Sequence, residues 1–148
     1  MKARTKRLLV ASVTGVSVVF LLVGAGVAYS LYIELSGNEH EVWSFERAEV
    51  IEGALEWARA DPLPTSADVV SVTTGGSIFT RALRVTFTAP AVDIEDWLRR
   101  SPGAQDAVVT VPSLGVRHFQ IKPGGGAAFA EITVDDTQQR VVIRSYWS

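Results

Sequence analysis

Apolar and polar positions change their rhythm four times along the chain. Leu8 to Ile33 is an unbroken run of 26 residues without a charge. A helix of that run reaches roughly 39 Å at about 1.5 Å per residue. The hydrocarbon core of a bilayer is about 30 Å thick, so the run is long enough to span it with tilt. The period then becomes helical. Ala48, Val50, Ile51, Ala54, Leu55, Trp57 and Ala58 recur at spacings of three and four, with Glu46, Glu49, Glu52, Glu56 and Arg59 between them. This predicts an amphipathic helix from about Phe45 to Ala60, with Ser44 as N-cap and Asp61-Pro62-Leu63-Pro64 as its stop.

After the prolines the period falls to two. Asp68 to Thr73 predicts a strand, Gly75-Gly76-Ser77 a turn, and Phe79 to Thr88 a second strand with Phe79, Leu83, Val85 and Phe87 on one side. Val92 to Arg100 predicts a short helix that buries Ile94, Trp97 and Leu98. Its acids come early and its arginines late, as the helix dipole favours, and Ser101-Pro102-Gly103 stops it. Ala107 to Val111 reads as a short strand or extended loop and Pro112 to Gly115 as loop. Val116 to Ile121, Ala128 to Val134 and Arg140 to Trp147 read as a meander of three strands. Lys122 to Gly126 and Asp135 to Gln139 are its turns. The expected class is α+β: a transmembrane helix, then a small antiparallel sheet with two helices on one face. Trp57, Phe87, Trp97 and Trp147 are expected to share one core.

Charge gives this order a direction. Lys2, Arg4, Lys6 and Arg7 precede the apolar run, and Glu34, Glu39 and Glu41 follow it. The positive-inside rule keeps the first group in the cytoplasm. The expected organisation is a basic cytoplasmic tail at 1–7, a transmembrane helix at 8–33, a juxtamembrane linker at 34–44 and an extracytoplasmic domain at 45–148. The alternative is a cleaved secretory signal, since Gly26-Val27-Ala28 and Ala28-Tyr29-Ser30 pass as cleavage sites. Run length favours the anchor, and Tyr29 and Tyr32 fall where an interfacial aromatic belt sits. Gly24 and Ala28 are small residues four apart, a candidate face for a homodimer through the span.

The net charge of −2 joins two unlike parts. Without the tail's four cations, 10 basic and 16 acidic residues remain. The positive mean hydropathy, +0.21, belongs to the apolar run alone. That balance argues against a nucleic-acid partner, which requires a basic face. With no cysteine, a disulfide framework, a thiolate metal site and a cysteine nucleophile are excluded.

The search for chemistry finds no catalytic residues, no metal ligands and no cofactor site. His40 and His118 stand far apart and belong to no HExxH pattern. Gly124-Gly125-Gly126 lacks the Lys-Ser/Thr of a phosphate loop. Asp93 and Asp96 share a helical turn, which leaves a hydrolase using them as an alternative. Arg81, Arg84, Arg117, Arg140 and Arg144 fall on strands. Arg84, Arg117 and Arg144 are taken as a candidate partner surface on the sheet's outer face.

The stretches LPTSADVVSV (63–72), VTFTAPAVDIEDWLRRSPG (85–103) and AFAEITVDDTQQRVVIRSYWS (128–148) carry a resemblance. They resemble small uncharacterised single-pass membrane-anchored proteins of bacteria such as actinobacteria and planctomycetes. The last hairpin is also similar to the Val-Asp-x-x-Thr-Gly hairpin of PepSY-like domains, with Thr137-Gln138 in place of Thr-Gly. That second resemblance implies protease inhibition or periplasmic binding; neither implies catalytic residues. The expected function is therefore a membrane-anchored binding or regulatory module without catalysis, meeting an unidentified protein or envelope partner. A secreted inhibitor released by signal cleavage is the alternative.

Overall fold

The computed structural model describes residues 40–44, 46–77 and 79–148. The tail, the apolar run with Gly24 and Ala28, and the linker as far as residue 39 lie outside the described residues. Among the described residues, no helix is long and apolar enough to cross a membrane.

Among the described residues, seven strands form one antiparallel sheet. They are β1 (His40–Glu41), β2 (Asp68–Ser77), β3 (Thr80–Thr88), β4 (Val108–Ser113), β5 (Val116–Ile121), β6 (Phe129–Asp135) and β7 (Arg140–Trp147). Their order is β1-β2-β3-β7-β6-β5-β4. Among the described residues three helices interrupt them: α1 (Arg47–Trp57), α2 (Ala91–Arg100) and the single-turn α3 (Pro102–Gln105). The α+β class is therefore as the sequence predicts. The meander has four strands rather than three, because Val108–Ser113 is a full edge strand. His40–Glu41, expected in the linker, pairs with Thr74 and Thr73.

The core follows strand alternation. Leu83, Val85 and Phe87 of β3 face inward beside Val141 and Ile143 of β7, Ala130, Ile132 and Val134 of β6, and Phe119 and Ile121 of β5. Register places them on one face: Val85 is opposite Ile143, and Ile143 opposite Ile132. Val50 and Ala54 of α1 and its C-cap Ala58 lie on this core, with Ile51 and Leu55 at its margin. From α2 come Ile94, Trp97 and Leu98, all buried as predicted. Trp97 meets Phe87 edge-on, with centroids 5.4 Å apart.

Four local expectations are corrected. Ser44 does not cap α1: Glu46 holds the N-cap position and makes no side-chain cap bond. The helix also ends before the prolines. Arg59 adopts φ 49°, while its N–H donates to the Glu56 carbonyl and that of Ala60 to the Leu55 carbonyl. This is a Schellman ending with arginine where glycine is usual. Gly75 and Gly76 lie inside β2, and the turn comes two residues later. There Ser77 N–H donates to Thr80 Oγ1 (3.0 Å) and Phe79 N–H to Ser77 Oγ (3.2 Å). Gly76 has φ +123°, and a Cβ on it would stand 2.1 Å from the Thr80 carbonyl oxygen. Finally, Phe79 and Trp147 are not core residues; they are 74% and 46% exposed. Ser145 takes the last inward position of β7, and Trp147 runs past the covered part of the sheet.

Candidate functional site

One cleft lies where Trp147 overruns the core. It has a volume of about 600 Å³ and sits at the end of the sheet that carries the β2–β3 turn. Trp57, the last residue of α1, forms one wall. Trp147 is directly opposite Arg81 in the β3–β7 ladder, so indole and guanidinium project from neighbouring strands on the same face. His40 is brought in by β1, across from Thr74. The glycine-rich loop after β5 closes the site. Gly124 N–H donates to the Trp57 carbonyl (2.9 Å), and Gly125, at φ +57°, passes so close that a Cβ would lie 2.7 Å from Trp57 Cδ1. Of the three glycines, Gly125 lets backbone lie against the indole, and Gly124 lets it pass Arg59 and the Glu56 carbonyl.

Among the described residues the cleft's own lining has no carboxylate, while Glu49, Glu52 and Glu56 border the adjoining cavity that shares Trp57 and Arg81. Ser77 and Thr80 hydroxyls lie 3.1 Å apart and are used within their own turn. The cleft thus offers two flat aromatic surfaces, one guanidinium and one imidazole. Such a set stacks a planar or ring-shaped ligand and pairs with an anionic edge.

The open face of the sheet carries a different arrangement. Arg84 stands opposite Arg144, and Arg144 opposite Glu131. Glu131 is 8% exposed. Its Oε1 accepts from Arg144 Nη1 (2.9 Å), and its Oε2 lies 2.7 Å from His118 Nε2. Register corrects the expected arginine surface. Arg117 is opposite Val134, so it faces the helices with Phe119, away from Arg84 and Arg144. There it binds Asp136 (Nη2–Oδ1 2.6 Å) and Glu95, and its guanidinium carbon lies 5.8 Å from the Phe119 ring centre. The bonded Asp136 carboxylate raises the Arg117 guanidinium above its ordinary pKa; burial opposes this and Glu95 adds to it. Of the remaining pair, Arg140 lies on the open face and Arg81 in the cleft.

A double-mutant cycle on Glu131→Gln and Arg144→Gln is expected to give a coupling of about 1–2 kcal/mol in urea unfolding, as for a hydrogen bond between charged groups. A coupling near zero would mean that water satisfies both groups.

Asp93 and Asp96 border a smaller cavity of about 290 Å³ with Asp61 and Arg100. Each carboxylate has its own partner: Ser66 Oγ donates to Asp93 (2.5 Å), Arg99 binds Asp96, and Arg100 Nε binds Asp61 (2.8 Å). Among the described residues, no three His, Cys, Asp or Glu side chains converge into a metal-holding group. The cleft went unread in the sequence because Trp57, Arg81, Gly125 and Trp147 come from four separate elements. One signal was available: Trp147 lies four residues beyond Ile143, the last apolar inward position of its strand before it, with polar Ser145 between them. No family model, curated protein or solved structure matches the chain.

Proposed function

We propose that the chain is a single-pass membrane protein, N-terminus inside and C-terminal domain outside, whose domain is a non-catalytic binding or regulatory module. The ligand site is the sheet-end cleft, and the ligand has a flat ring face with an anionic edge. The pairing of Trp147 with Arg81 across β3 and β7 carries this reading. Two tryptophans and a guanidinium around about 600 Å³ suit recognition. Catalysis would require a nucleophile beside a base or two carboxylates in unlike environments. The Asp93 and Asp96 carboxylates are instead each bound by a donor of their own. The anchor rests on Leu8–Ile33 and its basic flank. The resemblance to single-pass bacterial proteins agrees with it.

The test uses the two tryptophans as reporters. An acidic tetrasaccharide, such as a hyaluronan fragment, is expected to shift the emission of the full chain, and neutral maltotetraose is not. Arg81→Ala and Trp147→Ala are each expected to weaken binding about tenfold, close to 1.4 kcal/mol. Emission unmoved by millimolar acidic saccharide, or affinity unchanged in Trp147→Ala, would refute this site.

A further inference from the structure

We propose that an apolar groove along α1 docks a basic amphipathic helix of a partner protein. The groove has a volume of about 550 Å³, and Ala48, Ile51, Leu55, Ala60, Pro62 and Leu63 supply its apolar lining. It shares no lining residue with the sheet-end cleft, so its occupant does not depend on that cleft's ligand. The core buries one row of α1, Val50 and Ala54. Ala48, Ile51 and Leu55 form a second row at spacings of three and four. Ile51, Leu55 and Leu63 are half-buried at the core margin, and each keeps apolar surface open to solvent. A contiguous apolar strip of this kind is the setting for helix-in-groove recognition.

The far wall is fixed before anything binds. The chain leaves α1 through the reversal at Arg59, and Ala60 to Leu63 then borders the helix it has left. The Ala60 N–H donates to the Leu55 carbonyl at 2.9 Å. Both backbone groups of Asp61 are bonded. Its N–H donates to Ser101 Oγ (3.0 Å), and its carbonyl accepts from Trp97 Nε1 (2.8 Å). Pro62 brings no N–H to satisfy. A groove held on both sides needs little ordering when a partner enters. From Ala48 to Leu55 the helical wall runs about 10 Å at 1.5 Å per residue, which matches two turns of a partner helix.

Charge selects the partner. Among the described residues, the charged groups lining the groove are both acids, Glu52 and Glu56, and Glu49 extends their row by a turn. All three are exposed, and among the described residues none of them is in an ion pair. The neighbouring arginines are engaged elsewhere. Arg47 binds Glu41 (3.5 Å) and the Val69 carbonyl, Arg59 binds Asp106 (3.0 Å), and Arg100 binds Asp61 (2.8 Å). Arg81 borders the adjoining cavity as one cation against these three acids. The rim of the groove is therefore negative. A helix that sets apolar side chains into the groove and Lys or Arg beside Glu52 and Glu56 satisfies both features, and an acidic helix is repelled.

The probe is a Leu-Lys peptide of about 14 residues, four helical turns, with leucines at spacings of three and four and a diazirine on one leucine. The full chain is held in phosphatidylcholine nanodiscs, and photocrosslinked residues are mapped by mass spectrometry. Crosslinks are expected at Ile51, Leu55 and Leu63. A Leu-Glu peptide of the same pattern is expected to give about tenfold fewer. Glu52→Gln combined with Glu56→Gln is expected to lower the Leu-Lys yield about fivefold. Glu95→Gln combined with Asp135→Asn removes as much charge elsewhere and is expected to leave it unchanged. Crosslinks absent from the groove, or spread evenly over the domain, overturn the proposal. So does a groove yield that the Leu-Glu peptide matches or that loss of both glutamates leaves intact. The chain has no cysteine, so Leu55→Cys tests the other occupant. Oxidation of that variant to a disulfide-linked dimer would place a second copy in the groove, and the assignment to a partner helix would fail.

Discussion

Trp97→Ala is expected to destabilise the domain by about 4 kcal/mol, toward the upper end for a large buried aromatic. Three losses combine. The indole is completely buried, so its removal opens a cavity that α2 and β3 must collapse to fill. The edge-to-face pair with Phe87 disappears. The third loss is polar: Trp97 Nε1–H donates to the Asp61 carbonyl at 2.8 Å, and this oxygen loses its donor. Asp61 joins the end of α1 to α2, because its N–H also donates to Ser101 Oγ (3.0 Å). Trp97→Phe keeps the aromatic packing and removes the donor, so its cost is expected to be about 1–2 kcal/mol. Urea unfolding of both variants checks this: the midpoint should fall, with the slope m held. Equal losses for the two would mean that the hydrogen bond, and not the ring, carries the stability.

Gly103→Ala is expected to cost about 3 kcal/mol although it adds one methyl group, at the upper end for overpacking. A Cβ there would stand 2.0 Å from the Ala58 carbonyl oxygen and 3.0 Å from Ile121 Cγ2. The Gly103 N–H meanwhile donates to the Arg59 carbonyl at 2.8 Å. Backbone thus meets backbone where α1 ends and α3 begins, and neither can retreat without breaking that bond. Gly126→Ala is the comparison. Nothing lies within 4 Å of its Cβ, but its φ is +79°. Its cost is conformational, about 1–2 kcal/mol. A Gly103→Ala effect no larger than that of Gly126→Ala would show that the close approach relaxes cheaply.

These two positions also measure what sequence discloses. Alternation in Leu83, Val85 and Phe87, and helical spacing in Ile94, Trp97 and Leu98, named buried faces correctly because burial on one side repeats with the backbone period. Gly103 looked like a stop signal after proline; its close approach to Ala58 depends on how α1 and α3 meet. Gly75-Gly76 looked like a turn, but Ser77 and Thr80 close the hairpin by bonding each other, and the glycines serve the approach to it. Arg117 was open to better reading: it shares parity with Phe119, so alternation alone placed it on the inner side. The cleft was the least legible part. Its walls are brought together by pairing and helix packing, and no local period encodes that.

Strand β7 sits between β3 and β6, although it is the last of these seven strands to be made. Until Arg140–Trp147 has emerged, the chain holds two fragments of sheet, one ending at β3 and the other at β6, each with an unsatisfied edge. Uniting β3 with β7 closes a gap of more than fifty residues, from Thr88 to Arg140. Non-local pairing of that kind is slow to form. The domain therefore gains its central rungs in one late event, after synthesis has passed them. A ribosome that stalls before residue 140 releases a fragment with two sticky strands and half a core, a ready substrate for quality-control proteases.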